Sequence, residues 1–195
     1  MVSQSRTTAI LKEVAVVQTG FNPRGKIIEN PDGDASILQP KDIKHGEFVQ
    51  ATRIDLVKSN VNDNHLLNPG DVLFSCKGSN LGAIVFDLRP GRFIASSSFH
   101  VIRIYNPSIS SKFLAWCLNH SDTMQMLNKR TSGTLLRSIS IKLMNQIPIP
   151  IVPKNTQQAA MELHDLRVEE ARLIRQRETK ADMLTILQIE KLILQ

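Results

Sequence analysis

The sequence predicts an α+β protein, a sheet-rich domain over residues 1–155 followed by one long C-terminal α-helix over 156–195 that pairs as an antiparallel coiled coil. Three observations lead there. Short β-branched and aromatic runs, separated by Gly and Pro, fill the first hundred residues. An apolar spacing of three to four replaces them after Ser110. Finally, no Gly or Pro occurs from Thr156 to Leu194, where the good helix formers Leu, Glu, Arg, Gln and Ala dominate.

The run Glu13, Val14, Ala15, Val16, Val17, Gln18, Thr19 stops at Gly20 and reads as a buried strand entering a loop. Further strands are expected at 36–39, 48–54, 71–75, 83–86 and 99–105, with turns at Asn68-Pro69-Gly70-Asp71 and Arg89-Pro90-Gly91. Ser110 or Ser111 can cap a helix whose one face carries Phe113, Trp116 or Cys117, His120, Met124 and Leu127. That helix should stop near Ser132-Gly133, and His120 on its face should be core. Residues 139–141 and 147–153 should be extended; in Ile147-Pro148-Ile149-Pro150-Ile151-Val152-Pro153 each proline bars its predecessor from the α region.

The last helix should run on the order of 55 Å at about 1.5 Å per residue. Leu166, Leu173, Leu187 and Leu194 share one heptad position, interrupted by Lys180, and the companion position reads Leu163, Glu170, Arg177, Leu184, Lys191. Leu163, Leu166, Leu173, Leu184, Leu187 and Leu194 are therefore the candidate dimerisation residues. A helix folded back on its own domain is the competing arrangement. The stretch 183–194 is apolar nearly all round and should be buried by more than one neighbour.

The formal net charge of +6 invites a polyanionic partner, and its location sharpens the point. From Thr156 on there are six Lys or Arg against seven Asp or Glu, which leaves 18 against 11 in the part before it. The basic excess belongs to the sheet-rich domain. Two cysteines, Cys76 and Cys117, cannot make a disulfide framework or a cysteine zinc site, and no cofactor or metal is expected. The first eight residues lack the apolar stretch of a signal peptide, and no run approaches the ~18 apolar residues of a membrane span. A soluble cytoplasmic protein with no membrane partner is expected.

Several stretches, taken in order, resemble the DNA specificity subunit of type I restriction-modification systems. Residues 20–25 sit where that family's target-recognition domain carries its first loop. Ile37-Leu38-Gln39-Pro40-Lys41-Asp42-Ile43-Lys44-His45-Gly46 is similar to its strand followed by Asp-Ile-x-x-Gly. Asn68-Pro69-Gly70-Asp71-Val72-Leu73-Phe74-Ser75, with Lys77-Gly78 and Gly82 after it, resembles its Gly-Asp strand and glycine loop. The run from Thr131-Ser132-Gly133-Thr134 to Ile147-Pro148-Ile149-Pro150 and Gln157-Gln158 resembles its exit into a conserved helix. The resemblance implies a non-catalytic subunit that binds double-stranded DNA and directs separate methyltransferase and restriction subunits to a bipartite target. The family architecture has two recognition domains and two helices, so this chain looks like a half-length form, and a homodimer would read an interrupted palindrome.

Catalytic readings find little support in the residues. Asn-Pro occurs at 22, 30, 68 and 106, but none continues into the Pro-aromatic that grips a flipped base in amino-methyltransferases. Pro31-Asp32 with Asp42-Ile43-Lys44 imitates the carboxylate set of a Mg²⁺ nuclease using Asp32, Asp42 and Lys44, at short spacing; Pro31-Asp32-Gly33-Asp34 reads more simply as a turn. The five histidines show no metal spacing, and Ser97 or Ser98 near His100 is better explained by a strand of small hydroxyl residues. A coiled-coil scaffold that ignores DNA is the remaining alternative. DNA contact needs cations and amides for phosphates and longer polar side chains for base edges. Three glycine-bearing loops offer them: Asn22, Arg24 and Lys26; Lys77, Ser79 and Asn80; Lys129, Arg130, Thr131, Ser132 and Arg137. The assignment is to loops rather than atoms. Arg167, Arg172, Arg175 and Arg177 alternate with acids and should pair along the helix surface.

Overall fold

The computed structural model describes residues 7–22, 35–44, 47–48, 55–57, 63–78, 81–87, 91–131 and 138–193; the side chains of Lys44, Glu47, Asp55–Val57 and Thr131 are outside that description. The chain divides into two units, Met1–Lys154 and Asn155–Gln195. The centre of the first is a four-stranded antiparallel sheet of β2 (Ala15–Thr19), β10 (Phe99–Ile104), β7 (Val72–Ser75) and β8 (Gly82–Val85), in that order across the sheet. Beside it stands a mixed sheet of β6 (Asp55–Val57), β3 (Ala35–Leu38) and β9 (Phe93–Ala95), in which β3 and β9 run parallel. Ile43–Lys44 (β4) and Glu47–Phe48 (β5) form a small hairpin.

The alternation along β10 divides its environment. Phe99 and Val101 join Leu38, Leu67, Leu73, Phe86 and Ala95 in one buried cluster, and removing each large side chain of this kind from water contributes ~1.5–3 kcal/mol. The edge strand β8 lies against α1 (Ser111–Asn119). Its open backbone is closed there by one side chain: Asn119 accepts from the Ala83 amide at 2.7 Å and donates to the Ala83 carbonyl at 2.8 Å, taking the place of a neighbouring strand.

Three tight turns use the same device, a carboxylate reaching back to the amide three residues earlier. Asp71 accepts from Asn68 N at 2.8 Å, Asp42 from Gln39 N at 2.8 Å, and Glu13 from Ile10 N at 3.0 Å. Pro69-Gly70 is the centre of a type II turn, which needs the left-handed φ of +92° that Gly70 adopts, whereas Lys41 in the corresponding place leaves Pro40–Asp42 a right-handed 3-10 turn. Asp71 is 3 % exposed and also takes a bidentate pair from Arg103 on β10, at 2.9 and 2.7 Å. Arg103 reaches the Leu66 carbonyl as well, at 3.0 Å. The hydroxyl of Ser111 donates to Gly70 O at 2.6 Å, so the same turn anchors the start of α1.

The expected strands at 36–39, 71–75, 83–86 and 99–105 correspond to β3, β7, β8 and β10. The strand expected at 13–19 begins at Ala15, because Glu13 closes the 3-10 turn Leu11–Glu13, and residues 49–54 lie outside the described residues. The expected single helix after Ser110 is two. Ser110 caps α1, accepting from Phe113 N at 3.3 Å, but His120 is extended (φ −61°, ψ 143°) and separates α1 from α2 (Ser121–Thr131). His120 is therefore not core: its side chain is 43 % exposed, beside Asp122. Ile141 likewise departs from the extended reading, because Ser140 accepts from Leu143 N and starts the short helix α3 (Ile141–Met144). The proline run does form a strand, β11 (Pro148–Pro150), pairing with β1 (Thr8–Ile10).

The second unit is carried by α4, Lys154–Ile193, a helix of 40 residues. Every residue from Glu162 to Ile193 on it is exposed. No helix among the described residues is long and apolar enough to cross a membrane.

Asp71→Ala removes the buried partner of an ion pair whose arginine is 39 % exposed, and leaves the Asn68 amide without its carboxylate. It should lower the unfolding free energy by about 3 kcal/mol, read as a fall in the urea midpoint with unchanged m-value.

Candidate nucleic-acid interface

Strands β2 and β7 both run antiparallel to β10, so their C-terminal ends lie beside its first residues, with Thr19 opposite His100 and Ser75 opposite Phe99. The chain leaving β2 is held there: Gly20 N donates to Phe99 O at 2.9 Å and Phe21 N to Ala95 O at 2.7 Å. Only glycine fits at position 20, since a Cβ would lie 2.2 Å from the Ser96 carbonyl oxygen. The chain leaving β7 is held by the same turn, Cys76 N donating to Ser98 O at 2.9 Å, and Gly78 follows with φ +90°. The segment that returns after α2 comes to this place too. Ile139 N donates to Cys76 O at 2.9 Å, and Lys77 bridges Ser138. Two of the three glycine-bearing segments and the return of the third thus meet at one end of the central sheet.

His100 is the fastening beneath them. It is 5 % exposed, and its Nε2 lies 2.6 Å from the Ile139 carbonyl oxygen, which requires that nitrogen to carry the proton. Nδ1 is buried and has no hydrogen-bond partner among the described residues. Burial pushes the imidazole pKa down; the bond to Ile139 opposes that shift, and the charge of Lys77 adds to it. A second proton on Nδ1 would have no acceptor among the described residues. Burial also raises the pKa of the Cys76 thiol, whose sulfur contacts the Ser98 carbonyl at 3.2 Å, and on α1 it pushes that of Cys117 up to about 12.

Of the residues expected to contact DNA, Asn22, Lys77, Lys129 and Arg130 are described and exposed. Lys129 and Arg130 occupy the last turn of α2, and Arg130 donates to Gln146 Oε1 at 3.0 Å. Thr131 ends that helix. Arg24, Lys26, Ser79, Asn80, Ser132 and Arg137 lie outside the described residues. Sequence reasoning missed the part played by His100 and by the turn Ser96-Ser97-Ser98, which is a turn between β9 and β10 rather than strand. No local pattern marks a histidine that holds a carbonyl 39 positions away.

On α4, Leu163, Leu166, Leu173, Leu184 and Leu187 are between 52 % and 68 % exposed; Leu194 lies outside the described residues. The expected surface pairing of the arginines holds for Arg167 with Glu170 at 2.7 Å and for Arg172, bidentate to Glu169 at 2.7 Å. Arg172 holds the Glu169 carboxyl below its usual range.

A family model described as the type I restriction modification DNA specificity domain matches residues 7–170. The chain belongs to this family. Among solved structures, a chain from work on complex assembly and conformational transition of the type I R-M system is similar over 93 % of this chain and 43 % of its own, at 20 % identity and a TM-score of 0.67. The HsdS subunit from Thermoanaerobacter tengcongensis is similar over 87 % and 40 %, at 19 % identity and a TM-score of 0.59. The S subunit from M. genitalium is similar over 87 % and 42 %, at 16 % identity and a TM-score of 0.55. At these identities the likeness concerns the fold. This specificity-domain chain spans about two fifths of the length of each of those proteins. No curated protein matches it.

The nuclease alternative finds no support in a specificity domain of this form. Asp42 is 5 % exposed, and its carboxylate is engaged by the Gln39 amide, so it serves the turn. Asp32 and the Lys44 side chain lie outside the described residues, among which no group of three metal-ligating side chains occurs.

Because the folded state depresses the His100 pKa, the unfolded chain binds the extra proton first. The stability contributed by the neutral ring is complete above the ordinary histidine value of 6.5 and is lost as pH falls below it. Thermal scans from pH 7.5 to 5.5 should show a falling Tm, with a shallower fall in His100→Gln, whose side-chain amide can still donate to Ile139 O.

Proposed function

We propose that this chain is the sequence-specific, non-catalytic DNA-recognition component of a cytoplasmic type I restriction-modification system, acting as a homodimer on an interrupted palindrome. The sheet-rich unit of about residues 1–155 reads the duplex, and the helix from about 156 onward serves dimerisation and docking of the separate methyltransferase and restriction subunits. One observation carries the reading: in a member of the specificity-domain family, the chain segments leaving β2 and β7 and the segment returning after α2 are fastened to one end of the central sheet. The positive charge supports it, since 18 basic against 11 acidic residues precede Thr156.

In this reading Lys77, Lys129, Arg130, Arg24, Lys26 and Arg137 neutralise phosphates. Asn22, Ser79, Asn80, Thr131 and Ser132 are the shorter donors and acceptors beside them. Glycines at 20 and 78 let the backbone come close to the sugar-phosphate chain. Base edges are read only where docking brings a side chain into the groove, so a phosphate contact and a base contact have different signatures.

The test is duplex binding by the purified protein, with and without its cognate methyltransferase, followed across ionic strength. Affinity should fall steeply with salt, each lost phosphate contact reducing the log–log slope by about 0.9. Lys77→Ala and the Lys129→Ala/Arg130→Ala pair should weaken binding to all sequences alike and flatten that slope. Mapping the bases modified in the presence of the methyltransferase should return a symmetric, interrupted motif. Salt-independent binding, or none with the methyltransferase present, would instead support a scaffold that does not use DNA.

A further inference from the structure

We propose that two copies of α4 pair antiparallel about a two-fold axis level with Arg175, so that Glu170 of each helix faces Lys180 of the partner subunit. This rests on the homodimer reading above and gives it a register. The seam of α4 contains five exposed leucines but also Glu170, Arg177 and Lys180, which no simple apolar contact would accept. Charge complementarity among those three selects the occupant and its direction.

In an antiparallel pair the two alternating core positions of one helix face each other in the opposite order. With the axis at 175, Leu163 meets Leu187 of the partner, Leu166 meets Leu184, Glu170 meets Lys180, and Leu173 lies under the aliphatic stem of Arg177. Every polar seam residue between Leu163 and Leu187 then has either an opposite charge or a leucine to cover. The alternatives fail on the same residues. A parallel pair in register stacks Glu170 on Glu170, Arg177 on Arg177 and Lys180 on Lys180, three like-charged layers. Sliding the antiparallel pair by a heptad toward the C-terminus sets Arg177 against Lys180, and sliding it the other way sets Leu163 against Lys180 and Glu170 against Leu173.

The groups are free to do this. Glu170 accepts from Arg167 of its own helix at 2.7 Å, an exposed pair that leaves a carboxylate oxygen for a second donor. Lys180 has no ion-pair partner among the described residues. The register also accounts for the apolar end of the helix. Residues 183–193, with Ile186, Ile189 and Ile193 each at least 50 % exposed, come to lie beside residues 157–167 of the partner's helix, which gives this apolar stretch a second helix to pack on. The starts of the two helices would stand on the order of 60 Å apart along the axis.

Two measurements on the full chain decide it. In sedimentation equilibrium, Glu170→Lys or Lys180→Glu alone should weaken dimerisation about tenfold, and the two together should restore it to within about threefold; a parallel pair gives no such rescue, because each exchanged layer is still like-charged. A short bis-maleimide should link protomers through Ile174→Cys or Gln176→Cys, which flank the axis. Leu163→Cys and Leu187→Cys, each about 24 levels and on the order of 35 Å from its own copy, should stay unlinked. Cys76 and Cys117 are buried and do not compete. A dimer that links through Leu163→Cys or Leu187→Cys, or that shows no rescue, overturns the register and leaves the homodimer standing. A monomer at all concentrations overturns both.

Discussion

The two hydrogen-bond ladders of β10 are the constraint on which the rest of the first unit depends. A strand buried between two neighbours must satisfy its amides and carbonyls on both edges, and β10 does so against β2 and β7. Because both pairings are antiparallel, the exits of β2 and β7 are brought to one place by backbone geometry alone. The convergence of these segments is thus a consequence of sheet topology before any loop residue is chosen. The side chains that fasten it, Cys76 and His100, act on carbonyls of the same small region.

The polar groups in this unit are used with economy. Buried carboxylates are costly unless met by donors, and Asp71 receives two from Arg103 and one from the Asn68 amide, so a turn, a strand and the beginning of α1 share one electrostatic anchor. Asp42 repeats the arrangement on a smaller scale. A rigid frame of this kind suits a reading surface, because loop residues can vary while the positions from which they leave do not.

The helix obeys a different logic. Among the described residues its seam leucines are exposed, and its basic and acidic residues nearly balance. Polar residues at core positions of a helix pair lower its stability but discriminate among registers and directions. Glu170, Arg177 and Lys180 are spaced so that one antiparallel alignment satisfies them and its neighbours do not. Under the proposed pairing, the same three residues that make the seam look imperfect in the sequence are those that set its register.

The long helix, the glycine-punctuated strands and the basic head were legible because each is written in local periodicity, in the φ demands of Gly and Pro, or in charge that any folding leaves in place. The Asn68-Pro69-Gly70-Asp71 turn was legible for the same reason. What the sequence alone did not decide were the breaks: His120 ends a helix whose apolar spacing continues past it, and Ser140 starts one where an extended segment was expected. Strands as short as Thr8–Ile10 and Phe93–Ala95 carry too few residues to show a period, and they exist because distant partners complete their hydrogen bonds. The meeting of residues 20, 77 and 139 at one end of the sheet belongs wholly to the tertiary structure. It follows from long-range pairing, in which the free energy resides in contacts between residues that no window of sequence contains.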